Sequence, residues 1–234
     1  MIPSPGGEGR VIQGMCPKCQ EAREGNEKRA KERTRNAYLE TAFKNAGFGA
    51  RFLNKTLDNY ETTTEEHILA VSKCEWFIKH LKVSAGLIMV GGLGVGKNHL
   101  AAGITREVIK LSKRALKTTV RKLDRAFKES WGNDGEKATL KTFVDPDLLV
   151  IDEIGFQRGT KDELLHVGEV CSDRYDAMKP TILLTNVQPQ EVAPLIGQRA
   201  YDRFKEGGAI IALNGESYRV TAGKELLEGE EDGG

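Results

Sequence analysis

Cysteine, tryptophan and long apolar stretches are scarce in this chain of 234 residues, and each scarcity excludes something. Four cysteines, at positions 16, 19, 74 and 171, are too few and too unevenly spaced to staple a fold of this size, so a reducing compartment is the simpler setting. No apolar run approaches the roughly 18 residues a membrane-spanning helix needs, and the amino-terminal residues hold no apolar signal core. The expectation is a soluble, cytoplasmic protein with no membrane partner. Neither charge is in excess: 35 Lys and Arg stand against 34 Asp and Glu. Any surface for nucleic acid therefore has to be local. With 39% hydrophobic residues the chain can build one full α/β domain plus a small appendage, but not two large domains. It contains no internal repeat.

The most informative stretch begins at Gly86, where Leu87, Ile88, Met89 and Val90 form an apolar run leading into a glycine-rich loop. Gly91 and Gly96, followed by Lys97, have the G-x-x-x-x-G-K spacing, with Gly92, Leu93, Gly94 and Val95 between them. Such a loop surrounds a polyphosphate with backbone N–H groups, and its lysine reaches the outer phosphates. A helix beginning there adds the positive end of its dipole. Asn98 occupies the place where Ser or Thr usually offers Mg²⁺ a hydroxyl, which leaves the metal geometry open. After His99, the residues Leu100, Ile104, Val108 and Leu111 repeat at helical spacing and predict one buried stripe.

Upstream, Pro3, Pro5 and Gly6-Gly7 read as a flexible lead-in. Cys16-Pro-Lys-Cys19 is half of a tetrahedral zinc site, and no second C-x-x-C follows, so zinc binding and spectator thiols both stay open. Residues 20–40 are densely charged with mixed sign, as in a solvated helix or helical linker. Phe43, Phe48, Phe52, Leu53, Leu57 and Tyr60 should pack as a collar against the main domain. Thr63 and Glu66 fit a capping box for a helix over about 64–82.

Downstream, residues 104–128 carry nine basic side chains against Glu107 and Asp124. Lys117, Arg121, Lys122 and Arg125 are the candidates to meet a phosphate backbone, the alternative being a solvated face. Leu116 to Val120 reads as a strand inside that stretch. Leu148 to Ile151 is a buried parallel strand that delivers Asp152 and Glu153 at its C-terminal edge, on opposite sides. Asp152 is placed to hold Mg²⁺ and Glu153 to polarise a water. Thr181 to Thr185 is another strand, ending in Asn186. Asn186 could touch the attacking water or the γ-phosphate, or it could open the turn toward Pro189. Arg199 and Arg203 lie four apart on one helix face, Ala209 to Leu213 is a last strand, and the acidic residues from 225 onward read as a disordered tail.

Taken together, Gly-Lys-Asn-His-Leu100, Leu148 to Gly155, Leu184-Thr-Asn186, Asp202-Arg-Phe204 and Ser217-Tyr-Arg219 resemble the DnaC-type replicative helicase loaders, an AAA+ family, over roughly residues 40–224. The IstB-type transposition helper ATPases share most of these motifs. The resemblance implies a five-stranded parallel AAA+ sheet flanked by helices, preceded by a short, partly helical appendage. It implies ATP with Mg²⁺ held by Gly91 to His99, by Asp152 as the Walker B acid with Asn98 near the metal, and by Arg219 as a second sensor. Glu153, Asn186 and Arg203 would be the catalytic set, Arg203 acting on a neighbouring subunit's ATP with Arg199 as substitute. The implied partners are a hexameric replicative helicase, single-stranded DNA and further copies of the chain in an open or helical oligomer. The implied layout is a helicase-binding appendage over 1–50, an ATPase domain over 51–224 and the tail. Zinc-containing relatives carry two C-x-x-C pairs, and Cys16 and Cys19 look like the second. The appendage is then expected to be a trimmed remnant unable to close a zinc site within one chain.

Overall fold

The computed structural model describes residues 17–82, 86–130, 135–155, 161–215 and 218. Cys16, Arg219 and the acidic tail lie outside them, as does the side chain of Cys19, so the readings placed on those residues rest on sequence alone. The chain divides into two compact units, Met1–Tyr38 and Leu39–Gly234. The part of helix α1 (Pro17–Asn45) that belongs to the first is exposed at every position from 21 to 38. Arg23 and Glu27 pair on it one turn apart at 2.9 Å.

The second unit is built on five parallel strands, β1 (Gly86–Gly91), β2 (Ala115–Thr119), β3 (Leu148–Ile154), β4 (Thr181–Thr185) and β5 (Ala209–Leu213), in the order β2-β3-β4-β1-β5. The near-continuous apolar runs of β1, β3 and β4 are required because both faces of the sheet are covered. Alternation sorts their side chains: Leu87, Met89, Leu148, Val150, Ile182 and Leu184 enter one core, while Ile88, Val90, Leu149, Ile151 and Leu183 enter the other.

The first core is closed by α2 (Glu65–Lys79), by α3 (Lys97–Lys110) and by the collar from Phe43 to Tyr60. Within the collar Phe43 stacks on Phe48, with ring centroids 4.8 Å apart. Helix α2 starts one residue later than the capping-box reading: Thr64, not Thr63, is the N-cap, and its side chain accepts from His67 N–H. In α3, Leu100, Ile104 and Val108 are buried as the stripe predicts, but the helix ends at Lys110 and Leu111 turns out to solvent.

The second core packs α4 (Val120–Glu129), α5 (Gly135–Val144), α6 (Lys161–Asp176), α7 (Pro189–Ile196) and α8 (Gln198–Gly207). Arg174 of α6 is fully buried in this layer. Its guanidinium donates to the carbonyls of Phe143, Val144, Pro146 and Pro180 and to Thr181 Oγ1, all at 2.7–3.0 Å. It thus pins the chain entering β3 and β4 from one point, and burial pulls its pKa down to about 10. Among the described residues no helix is long and apolar enough to cross a membrane.

Candidate nucleotide site

Between β1 and α3 the loop of Gly91 to Gly96 turns with glycine at the positions that demand it. Gly96, the N-cap of α3, has φ +95°, and a Cβ there would lie 2.7 Å from the ring of Tyr60, so glycine is fixed on two counts. No side chain caps α3, and the positive end of its dipole faces the loop. The collar supports the loop from behind. Tyr60 Oη donates to Val95 O at 3.3 Å, and burial pushes its phenol up to about 12. His99 Nε2 lies 2.9 Å from both Thr56 O and Asn59 Oδ1; both are acceptors, so this nitrogen carries the proton. Burial lowers the His99 pKa, and its ring stands edge-on to Tyr60.

Lys97 is 7% exposed, and its ammonium donates to Gly91 O and Gly92 O at 2.6 Å each and to Asn186 Oδ1 at 2.9 Å. The amine is folded into its own loop, and the residue ending β4 is one of its partners. Asn186 is therefore part of the phosphate loop's polar network rather than only a turn opener.

Asp152 and Glu153 sit where β3 leaves the sheet. The register with β4 shifts between Ile151 and Ile154, and Glu153 lies within that shift with φ +64°. Asp152 Oδ1 accepts the Glu153 N–H at 2.8 Å, while Oδ2 is paired with Lys117 Nζ at 2.9 Å. Asp152 is half-buried and Glu153 is exposed. The two acids thus occupy different environments, although an irregular backbone, not simple strand alternation, separates them.

Magnesium nucleotide is the group such a loop implies, and the residues present fit it. Asn98 Oδ1 is buried with no hydrogen-bond partner, an acceptor left over at the start of α3. When bound, the metal neutralises and orients the outer phosphates. For the protein's part, the start of α3 and Lys97 would meet the phosphates, Asn98 and Asp152 would offer oxygen to the cation, and Glu153 would accept a proton from water. Among the described residues no group of three or more His, Cys, Asp or Glu is arranged to hold a metal.

The arginines four apart on α8 are not equivalent. Arg199 is exposed, whereas the Arg203 side chain is only 14% exposed and clasped by α6. Its guanidinium donates to Ser172 Oγ at 2.9 Å, pairs with Asp176 at 3.1 Å and stacks over Tyr175 at 4.3 Å. Arg219 lies outside the described residues; its neighbour Tyr218 donates its N–H to Gly94 O at 3.3 Å.

The basic stretch is divided by its folding. Arg106 stacks over Phe43, Lys110 pairs with Glu107, and Lys128 with Asp124. Lys117 turns inward onto Asp152 and so does not share a surface with Arg121, Lys122 and Arg125, which are exposed on α4. Two contributors to the site, Lys117 and Tyr60, carried no such role in the sequence reading.

A five-stranded parallel sheet with this strand order, a glycine-rich loop after β1 and acids at the end of β3 define an AAA+ nucleotide-binding domain of the P-loop class. The chain belongs to the family described as IstB-like ATP binding protein, which its residues 27–225 match. It is 34% identical over 192 residues to the replicative helicase loader DnaC of Escherichia coli K12, spanning 80% of this chain and 78% of that protein. Among solved structures, that of the DnaC helicase loader superposes with a TM-score of 0.63 at 24% identity, covering 70% of this chain and 99% of the other. The replication initiator DnaA bound to AMPPCP and single-stranded DNA superposes with a TM-score of 0.61 at 22% identity, covering 77% and 55%. At these identities the structural likeness is one of fold.

Proposed function

We propose that this chain is an ATP-dependent loader of a replicative DNA helicase, binding and hydrolysing ATP at interfaces between its own copies. The observation that carries the nucleotide half is the hydrogen bond joining Lys97 at the start of α3 to Asn186 just after β4, together with the orphaned oxygen of Asn98, the next residue of the loop. The loader half is supported by the 34% identity to DnaC across most of both chains.

In this reading the α3 N–H groups and Lys97 hold the phosphates, Glu153 takes the proton of the attacking water and Asn186 orients that water. Arg203 of one copy reaches the nucleotide of the next, and Arg219 contacts the same phosphates in its own chain. Residues 1–50 engage the helicase, and Arg121, Lys122 and Arg125 follow a single-stranded DNA backbone with little sequence preference. ATP binding drives assembly and hydrolysis releases it, in the cytoplasm.

Two measurements test this. ATP turnover with and without single-stranded DNA should be measurable in the wild type and fall about 100-fold or more in Glu153→Gln; equal rates for both proteins under both conditions defeat the enzyme reading. A pull-down from host cells should recover a hexameric helicase. The IstB description of the family favours a second reading, a transposition helper acting on target DNA, and recovery of a transposase instead would select it.

A further inference from the structure

The pairing of Lys117 with Asp152 has no place in the reading above. Their charged atoms are 2.9 Å apart, and the side chains are only 13% and 14% exposed, so water screens the pair weakly. The other Asp152 oxygen is taken by the Glu153 N–H. Lys117 is also the point where β2 meets the collar: its N–H donates to Ala46 O at 2.6 Å, and its ammonium lies 5.3 and 5.9 Å from the ring centroids of Phe48 and Phe52. An ammonium so placed has two favourable seats, the carboxylate and the electron-rich ring faces.

We propose that Lys117 is an internal counter-ion of Asp152, holding the carboxylate until a divalent cation arrives with nucleotide, and that the cation displaces its ammonium toward Phe48 and Phe52. The proposal rests on the reading that Gly91 to Asn98 bind magnesium nucleotide. Its physical basis is competition. A divalent cation and an ammonium cannot both stand against the same carboxylate oxygen, because they repel each other across a site with little screening. Without Lys117, the bare Asp152 carboxylate would repel the phosphates of a metal-free nucleotide. Lys117 therefore assists nucleotide entry without metal and opposes metal entry afterwards.

Those opposite signs give the test. A fluorescent, non-hydrolysable ATP analogue is titrated into the wild type, Lys117→Met and Lys117→Arg in the presence of EDTA, and Mg²⁺ is then titrated into each nucleotide-saturated protein. Lys117→Met should bind the metal-free analogue about fivefold more weakly and reach half-saturation at about fivefold lower Mg²⁺. Lys117→Arg, which keeps the charge, should stay close to wild type in both. Weakening of both constants together in Lys117→Met marks a merely structural role and overturns the proposal, as does no change in either.

If Lys117→Met does not fold, the wild type decides the matter through the reductive methylation rate of Lys117, read by mass spectrometry with the analogue bound in EDTA and again in Mg²⁺. Faster modification in Mg²⁺ supports displacement, and equal rates overturn it. Failure of the wild type to bind the analogue under either condition overturns the nucleotide reading itself, whereas Mg²⁺-dependent binding indifferent to Lys117 overturns this inference alone.

Discussion

Lys97 donates to the side-chain oxygen of Asn186 across 2.9 Å, joining the first residue of α3 to a residue 89 positions away, just after β4. The contact ties the residue proposed to hold phosphate to the residue that follows β4. On that proposal Lys97→Ala takes away a charge-assisted phosphate contact and should weaken nucleotide binding at least about tenfold. Asn186→Ala should leave binding within about threefold while lowering turnover about 100-fold, because its amide is needed where charge develops. Titration of a fluorescent ATP analogue beside steady-state turnover separates the two; equal losses of binding in both variants would contradict these roles.

Glu153 carries a non-glycine residue at φ +64°. That conformation costs an L-residue about 1 kcal/mol relative to glycine. Glu153→Gly is therefore expected to raise the unfolding free energy by about 0.5–1 kcal/mol while abolishing turnover. Glu153→Gln, which keeps the side-chain volume and the backbone cost, should lose turnover with no gain in stability. Urea denaturation of both variants gives the comparison.

Arg174 should be the most costly arginine in the chain to replace. Its removal strands the carbonyls of Phe143, Val144, Pro146 and Pro180 in a closed interior. Arg174→Met is expected to destabilise the protein by about 3–5 kcal/mol, and Arg174→Lys by nearly as much, since an ammonium cannot span five acceptors in a plane. A melting temperature within a few degrees of wild type for either variant would show that the carbonyls find other partners.

Two buried thiols contribute to the alkaline limit alongside the Tyr60 phenol. Burial raises both Cys74 and Cys171 from 9.0 to about 12. Their stabilising contribution is complete below pH 9, where thiols are protonated in the folded and unfolded states alike. Above it the unfolded chain loses protons first, and stability falls until the folded thiols titrate near pH 12. The slope approaches about 1.4 kcal/mol per pH unit for each thiol. Cys74→Ala should flatten the fall in melting temperature between pH 9 and 11 even though the cavity lowers it throughout. Parallel curves for variant and wild type would remove Cys74 as a cause.

The clasp on Arg203 makes a prediction about assembly. Asp176→Asn and Tyr175→Leu each remove one hold on the guanidinium. Either should lower the protein concentration at which turnover per chain becomes half-maximal by about threefold to fivefold. Arg203→Ala should abolish turnover at every concentration while binding nucleotide normally. Turnover measured across a dilution series distinguishes these outcomes; an unchanged midpoint in both clasp variants would mean that the clasp does not oppose assembly.

Much of this site was legible from residue spacing, for a physical reason. A phosphate loop is local: strand, glycine turn and helix start lie within fifteen residues, and their dihedral demands show as Gly91, Gly94 and Gly96. The apolar runs of β1, β3 and β4 were equally plain, because burial on both faces leaves little room for polar residues. Contacts that depend on which strands become neighbours were not legible. Lys117 meets Asp152 only because β2 lies beside β3, and a charged stretch gives no hint that one member faces inward. Helical periodicity puts Arg203 and its substitute Arg199 on one face, and it holds no sign that Arg203 is clasped by α6. The capping box read from Thr63 and Glu66 falls one residue early, because the His67 N–H reaches the Thr64 hydroxyl.

The same clasp bears on how two copies recognise each other. A surface that recruits Arg203 has to offer an acceptor to match Ser172, a charge to match Asp176 and a flat group to match Tyr175, all within reach of one side chain. A glancing collision between chains offers one of these at most. If Arg203 serves a neighbouring copy's nucleotide as proposed, the clasp would make it a proofreader of contacts, indifferent to passing neighbours and yielding only to one docked in full register, so that a solitary chain would keep its nucleotide intact.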